Sequence, residues 1–306
     1  MDDAAPKRRR GMLGFYVAGL ALVALAGLGA WLWTAWTNWQ FDEHEARRRQ
    51  AEAARQLGVP VETAVDLGGG VAIELVLIPP GVFDMGSPDD EAGRSGDEGP
   101  VHRVRLSRPF YMGKYEVTQE QWQKVMGANP SHFKGPRLPV ECASWDNILE
   151  FLKRLDALGR TKGRFRLPTE AEWEWACRAG TKTRFCFGDD EARLSEYAWY
   201  NANAGNTTHP VGEKQPNAWG LHDCHGNVWE WYADAWRSYS PNPWPGKFRW
   251  TRDPQGPASS PDSMMRGGSW CDGPEYCRSA TRRYFTHPSD RHDFLGFRVV
   301  LSIAGP

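Results

Sequence analysis

The longest unbroken run of apolar positions in this chain extends from Gly11 to Trp33 and contains no charged residue. A helix rises ~1.5 Å per residue, so such a run reaches across a hydrocarbon core of ~30 Å. The pattern predicts one transmembrane helix over residues 11–33. Lys7, Arg8, Arg9 and Arg10 stand directly before it in a basic tail of residues 1–10. Arg47, Arg48 and Arg49 are farther away and mixed with Asp42, Glu43 and Glu45. The nearer positive cluster keeps the N-terminus cytoplasmic and sends the rest of the chain across the membrane. Trp31, Trp33, Trp36 and Trp39 read as an aromatic belt at the outer lipid interface. A cleaved signal peptide is the alternative, because Ala24-Leu25-Ala26 has the small-x-small form. The apolar run continues past that point and favours the anchor. Both readings place the bulk of the chain in an extracytoplasmic compartment.

Residues 34–70 read as a juxtamembrane stalk and linker. Within them, residues 41–57 are rich in helix formers, and Glu43 with Arg47 and Glu45 with Arg49 have the favourable i, i+4 order. No continuous apolar stripe is present, which predicts a solvated helix. Gly68-Gly69-Gly70 closes the linker, and residues 71–304 follow as one domain without a further break in composition.

The domain alternates short extended and helical patterns. Val71 to Ile78 is a β-branched run stopped by Pro79-Pro80-Gly81 and predicts a strand and turn. Val104, Leu106, Phe110 and Tyr111 suggest further short strands. Three helices are marked by their caps. Thr118 with Gln121 forms a capping box, Ser144 precedes a helix with Ile148, Leu149, Leu152 and Leu155 on one face, and Thr169 with Glu172 forms a second box. Gly180 is placed to end that last helix. The predicted class is α+β with little regular structure. A total of 16 Trp, 32 Gly and 22 Pro agrees with a loop-rich fold around an aromatic core. The balance of 37 basic against 38 acidic residues supplies no bulk field to attract nucleic acid.

A series of motifs occurs in order: Met85-Gly86-Ser87, Glu116-Val117-Thr118, Asn129-Pro130-Ser131, Arg166 to Glu174, Gly226-Asn227-Val228-Trp229-Glu230-Trp231, Arg266-Gly267-Gly268-Ser269-Trp270 and Gly296-Phe297-Arg298. The series resembles the formylglycine-generating enzyme (sulfatase-modifying factor) family over about residues 71 to 304. The resemblance implies a C-type-lectin-like fold. Read physically, Trp173, Trp175, Trp229 and Trp231 alternate with acids, so that the aromatic side is buried and the acidic side wet. Arg266, Arg282 and Arg298 are candidates to stitch loops by charge-assisted bonds.

The resemblance also implies an activity. Oxidases of this family convert a sulfatase cysteine to formylglycine with copper and oxygen, using two cysteines shortly after Gly-Gly-Ser. Here that segment supplies Cys271 and Cys277, which would carry copper, while Ser269 and Trp229 would shape the pocket. Soft thiolates suit Cu(I). The spacing differs from the oxidase pattern: there the first cysteine lies one residue farther from Gly-Gly-Ser and the pair one residue closer together. Asn227 and Glu230 are implied as ligands of a structural calcium, for which oxygen donors are suitable. The partner would be a sulfatase polypeptide crossing the membrane. The alternative is a non-catalytic scaffold that binds a protein or envelope component, with its six cysteines in disulfides such as Cys271–Cys277. His222-Asp223-Cys224-His225 lacks a second half at zinc spacing and reads as a surface or capping loop, and His287 and His292 read as solvated. No protease, P-loop or serine-hydrolase motif is present.

Overall fold

The computed structural model describes residues 43–239, 251–255, 263–285 and 287–303. The expected transmembrane helix and basic tail lie outside these residues. Among the described residues no helix is long and apolar enough to cross a membrane.

Helix α1 (Glu43–Leu57) is followed by strand β1 (Glu62–Gly68), which pairs antiparallel with β2 (Val71–Ile78). The three glycines expected to close a linker form the turn of this hairpin, with φ of 85°, 68° and 82° at Gly68, Gly69 and Gly70. Such left-handed backbone is readily available to glycine. Helix α1 is not the solvated stalk that its polar composition suggested. Ala46, Gln50 and Ala54, spaced by four, are buried against the domain. Gln50 Nε2 donates to Leu77 O at 2.9 Å and to Trp219 O at 3.0 Å. The stripe escaped notice because one of its three members is polar and the other two are small.

Strand β2 continues the main sheet to β5 (Phe110–Gly113), then β12 (Val300–Ser302) and β6 (Phe165–Arg166), in the order β1-β2-β5-β12-β6. The C-terminal strand thus enters the middle of the sheet that the N-terminal strands begin. A second sheet joins β7 (Trp229–Ala235) to β9 (Ser263–Arg266), with β10 (Arg283–Phe285) outside β9 and β11 (Leu295–Gly296) outside β7. A small third sheet contains β3 (Gly81–Met85), β4 (His102–Leu106) and β8 (Thr251–Arg252). The architecture is mixed α+β, as the sequence predicts.

Helices α2 (Gln119–Met126), α3 (Trp145–Ala157) and α4 (Glu170–Arg178) begin at the predicted caps. The Thr118 hydroxyl accepts from Gln121 N, and Thr169 accepts from Glu172 N. On α3 the buried face is Ile148, Phe151, Leu152 and Leu155, while Leu149 is exposed. Residues i, i+3, i+4 and i+7 share a helix face, and Leu149 lies ~100° away from it. Helix α4 ends one residue earlier than expected, on Ala179 in left-handed backbone at φ 45°. Short helix α5 (Leu194–Tyr197) precedes the long loop toward β7.

The acids beside the tryptophans are not on a wet side. Glu170, Glu174 and Glu230 are as buried as Trp173, Trp175, Trp229 and Trp231. Each acid meets the arginines expected to stitch loops. Arg266 and Arg282 bond Glu170, Arg178 and Arg266 pair with Glu174, and Arg298 pairs with Glu230. A buried charge is tolerated when paired and hydrogen-bonded. The alternation therefore reflects an internal ion-pair network that ties α4 to both β9 and the segment before β10.

Candidate thiol site

Cys271 and Cys277 are presented by the loop between β9 and β10. Gly267 and Gly268 turn the chain through left-handed backbone, φ 105° and 73°. A Cβ at Gly268 would lie 2.8 Å from Cys277 Sγ, so only glycine lets this loop lie against that thiol. The turn is held by Trp270 N donating to Asn227 O at 2.9 Å and Asp272 N donating to Ser269 O at 3.1 Å. Pro274 then opens a short 3₁₀ turn, Pro274–Tyr276, that delivers Cys277.

Asp272 organises the centre, although sequence reasoning did not single it out. Its Oδ2 accepts the Ser269 hydroxyl and the Trp229 indole N–H, the latter at 2.7 Å. Its Oδ1 accepts Arg283 Nη1 at 3.1 Å. The Arg283 guanidinium stands 5.7 Å from the ring centres of both Trp229 and Tyr276. A cation between two ring faces is held by their quadrupoles. Ser269 Oγ lies 3.3 Å from Cys271 Sγ. The structure thus brings Trp229, Ser269 and Cys271 together as the resemblance implies, with Asp272 and Arg283 added.

The two thiols have different surroundings. Cys271 is exposed; Cys277 is fully buried and packs with Phe185, Leu194 and Ala198. Partial burial pushes the Cys271 thiol up, the Ser269 hydroxyl works in the opposite direction, and the charges of Asp272 and Asp293 add to the rise. Burial pushes Cys277 well above the usual thiol range, with Asp272, Glu275 and Cys271 adding to it. A copper(I) site needs both groups as thiolates. Cys271 faces solvent and Cys277 is sealed in an apolar pocket, so only one of the two thiols is open to a metal arriving from solvent.

Asn227 and Glu230 also have other occupations. Asn227 Oδ1 accepts His209 N at 3.0 Å, and its Nδ2 donates to Glu116 Oε2 at 2.9 Å. Glu230 Oε2 accepts Trp173 Nε1 at 2.8 Å and Arg298 Nε at 2.6 Å, and its Oε1 accepts Arg298 Nη2 at 2.5 Å. Each of these oxygens accepts a hydrogen bond, and the Glu230 charge is neutralised by Arg298. Among the described residues no group of three or more His, Cys, Asp or Glu side chains is placed to hold a metal ion.

In the loop His222 to His225, His222 is half-buried, and Asp223, Cys224 and His225 are buried. His225 Nδ1 donates to Cys277 O at 2.8 Å, while its Nε2 accepts Cys186 N at 3.1 Å. That imidazole joins three loops. Asp223 carries a buried, unpaired Oδ1, and its acid is pushed up to about 6, first by burial. His292 is half-buried and stacks on Phe294, whereas His287 is exposed as expected.

Comparison with known proteins agrees with this geometry. Residues 70–303 match the model of the sulfatase-modifying factor enzyme 1-like domain. The formylglycine-generating enzyme of Mus musculus is 30% identical over 74% of this chain and 74% of its own length. The chaperone protein LppX of Paenibacillus barcinonensis is 33% identical over 56% of this chain and 75% of its own. The solved structure of Treponema denticola variable protein 1 superposes with a TM-score of 0.70 at 32% identity, covering 80% of this chain and all of that one (100%). With its ordered motifs, its mixed sheets and a family match over most of its length, this chain belongs to the sulfatase-modifying factor enzyme 1-like, or formylglycine-generating-enzyme-like, family.

Proposed function

We propose that this family member binds a polypeptide at the surface around Cys271 and does not make formylglycine. The observation that carries this reading is the burial of Cys277 beneath Gly268, in an apolar pocket, while Cys271 is exposed. A copper oxidase of this kind needs two thiolates and an open position for the substrate thiol. The surface that remains has the composition of a recognition patch. Tyr276 is exposed, Arg283 is held between Trp229 and Tyr276, and half-buried Trp270 and Phe133 meet edge to face at 5.6 Å. Trp, Tyr and Arg are the side chains that most often dominate protein interfaces. That a 33% identical relative is named a chaperone is in keeping with a member that handles polypeptide.

The second reading is formylglycine formation on sulfatases. It is favoured by one observation, the exposed Cys271 thiol beside the Ser269 hydroxyl. One experiment decides between them. The full-length chain is loaded with Cu(I) and incubated under oxygen with a Cys-x-Pro-x-Arg peptide, and aldehyde is measured by mass. No aldehyde is expected. Aldehyde that disappears in both Cys271→Ser and Cys277→Ser establishes the oxidase instead.

The anchor belongs to the same proposal. Residues 11–33 hold the chain in the membrane with the domain extracytoplasmic, supported by the uncharged run and the preceding Lys7 to Arg10 cluster. Its partner is then an envelope protein. Protease added to the outer face of sealed cells should remove the domain; complete protection refutes the orientation.

A further inference from the structure

A cleft of about 760 Å³ opens where the three sheets meet. Its walls include Leu106 of β4, Arg252 of β8, Arg166 of β6, Ser302 of β12, and Ala233 and Asp234 of β7. Trp229, which bonds Asp272 at the thiol site, starts the same β7, so the cleft and the Cys271 surface lie towards opposite ends of that strand. The volume falls within the range of ~300–1,000 Å³ usual for small-molecule sites. Leu106, Phe110 and Leu167 give the cleft a buried apolar lining, and half-buried Ile303 extends it.

Three acids and three arginines share this lining, and their bonding is unequal. Each acid is engaged in the fold. Glu172 accepts Arg166 Nη1 and Nη2 at 2.6 and 2.7 Å, Asp234 Oδ2 accepts Glu170 N at 2.6 Å, and Asp253 accepts Ser107 N at 2.6 Å together with the Ser107 hydroxyl. Arg166 also donates through Nε to Ser302 Oγ at 3.2 Å. Arg252 is exposed, and its two bonds, to Asp253 Oδ2 and to Ser107 Oγ, are both 3.4 Å long. The exposed Arg108 side chain has no hydrogen bond or ion pair among the described residues. The corner that presents these two arginines is fixed by Asp253. Its N donates to Arg105 O at 2.8 Å, and its carboxylate ties Ser107, which precedes Arg108, to the end of β8. Asp253 stands in left-handed backbone, φ 43°. Such backbone is uncommon for a residue with a side chain and clusters at ligand sites.

We infer that this cleft binds a small amphiphilic anion, with a carboxylate or phosphate head held by Arg108 and Arg252 and an apolar body laid on Leu106, Phe110, Leu167 and Ile303. The inference is independent of the polypeptide-binding reading. The sign of the head follows from the bonding. A cation would have to draw an acid away from Arg166, from the Glu170 amide or from Ser107, at the cost of hydrogen bonds already made. An oxyanion instead meets N–H donors that have long bonds or none. Guanidinium donors match a carboxylate or phosphate in geometry as well as charge. The apolar body follows from the lining. Exposed arginines alone hold an ion weakly in water, and burial of apolar surface supplies the rest of the affinity.

The test is the melting temperature of the full-length chain in a non-ionic detergent, titrated with sodium octanoate, octyl phosphate and, as the neutral control, octanol. At about ten times its dissociation constant, a bound anion should raise the midpoint by roughly 3–6 °C, while octanol leaves it unchanged. Arg108→Gln with Arg252→Gln removes both guanidiniums and should weaken anion binding roughly ten-fold or more. Lys153→Gln, which removes an exposed cation on α3, should leave binding as it is. Equal shifts with octanol, or shifts that the double variant does not reduce, would leave only an apolar crevice and overturn the inference. The absence of a saturable shift with either anion overturns it as well, including the case in which the chain itself fills the cleft. If the double variant fails to fold, the contrast between anion and octanol on the wild-type chain decides, together with the loss of that contrast at high salt.

Discussion

Gln50 and Trp219 hold each other in the core: Gln50 Nε2 donates to Trp219 O at 3.0 Å, and the Trp219 indole donates to Ala46 O at 3.1 Å on the same helix. Helix α1 is thereby a structural part of the domain. Gln50→Ala leaves Leu77 O and Trp219 O without this donor and should destabilise the fold by about 1–3 kcal/mol. Urea unfolding of the two proteins checks it. Equal midpoints would mean that α1 does not dock in solution.

Arg298 and Glu230 form a fully buried pair. Arg298→Met strands the Glu230 charge and should cost about 3–5 kcal/mol. The double variant Arg298→Met with Glu230→Gln should recover part of that loss. A single-variant cost below about 1 kcal/mol in the same urea assay, the size expected of an exposed pair, would show that Glu230 finds another partner.

Asp223 sets a pH dependence. Its folded acid is raised from 3.8 to about 6, by burial before any other cause. The folded state therefore binds more protons than the unfolded state between these values, and stability falls as pH rises through this window. Glu116 is displaced in the same direction, again chiefly by burial, with Asp223 next. Asp223→Asn, measured in EDTA, should be more stable than wild type at pH 7.5, with the difference narrowing below pH 6. A constant difference from pH 4 to 8 would contradict the assignment.

Cys271 should be the first thiol labelled by maleimide in the native protein, because the remaining cysteines are buried or half-buried. The Ser269 hydroxyl favours its thiolate. Ser269→Ala should therefore raise the Cys271 pKa and slow labelling at pH 7.5 several-fold, with the difference shrinking as pH approaches 10. Unchanged rates across that range would separate Ser269 from Cys271.

The sequence by itself determined the mixed α+β class, the strand Val71–Ile78, the capped starts of the three main helices and the family, because caps, β-branched runs and ordered motifs are local. The family's motif order also singled out Trp229, Ser269 and Cys271 as one expected site. Only the tertiary structure decided what surrounds them. Asp272 became the hub because donors from residues 229, 269 and 283 converge on it, and no spacing encodes that convergence. The acids beside the tryptophans proved to be buried because arginines far away in sequence neutralise them. Helix α1 docked through a glutamine and two alanines, a stripe too polar and too small to register as apolar. The two cysteines that chemistry would pair, Cys271 and Cys277, were placed by packing on the surface and in the core respectively. Burial is a property of the whole fold, and it is burial that sets the chemistry of a thiol.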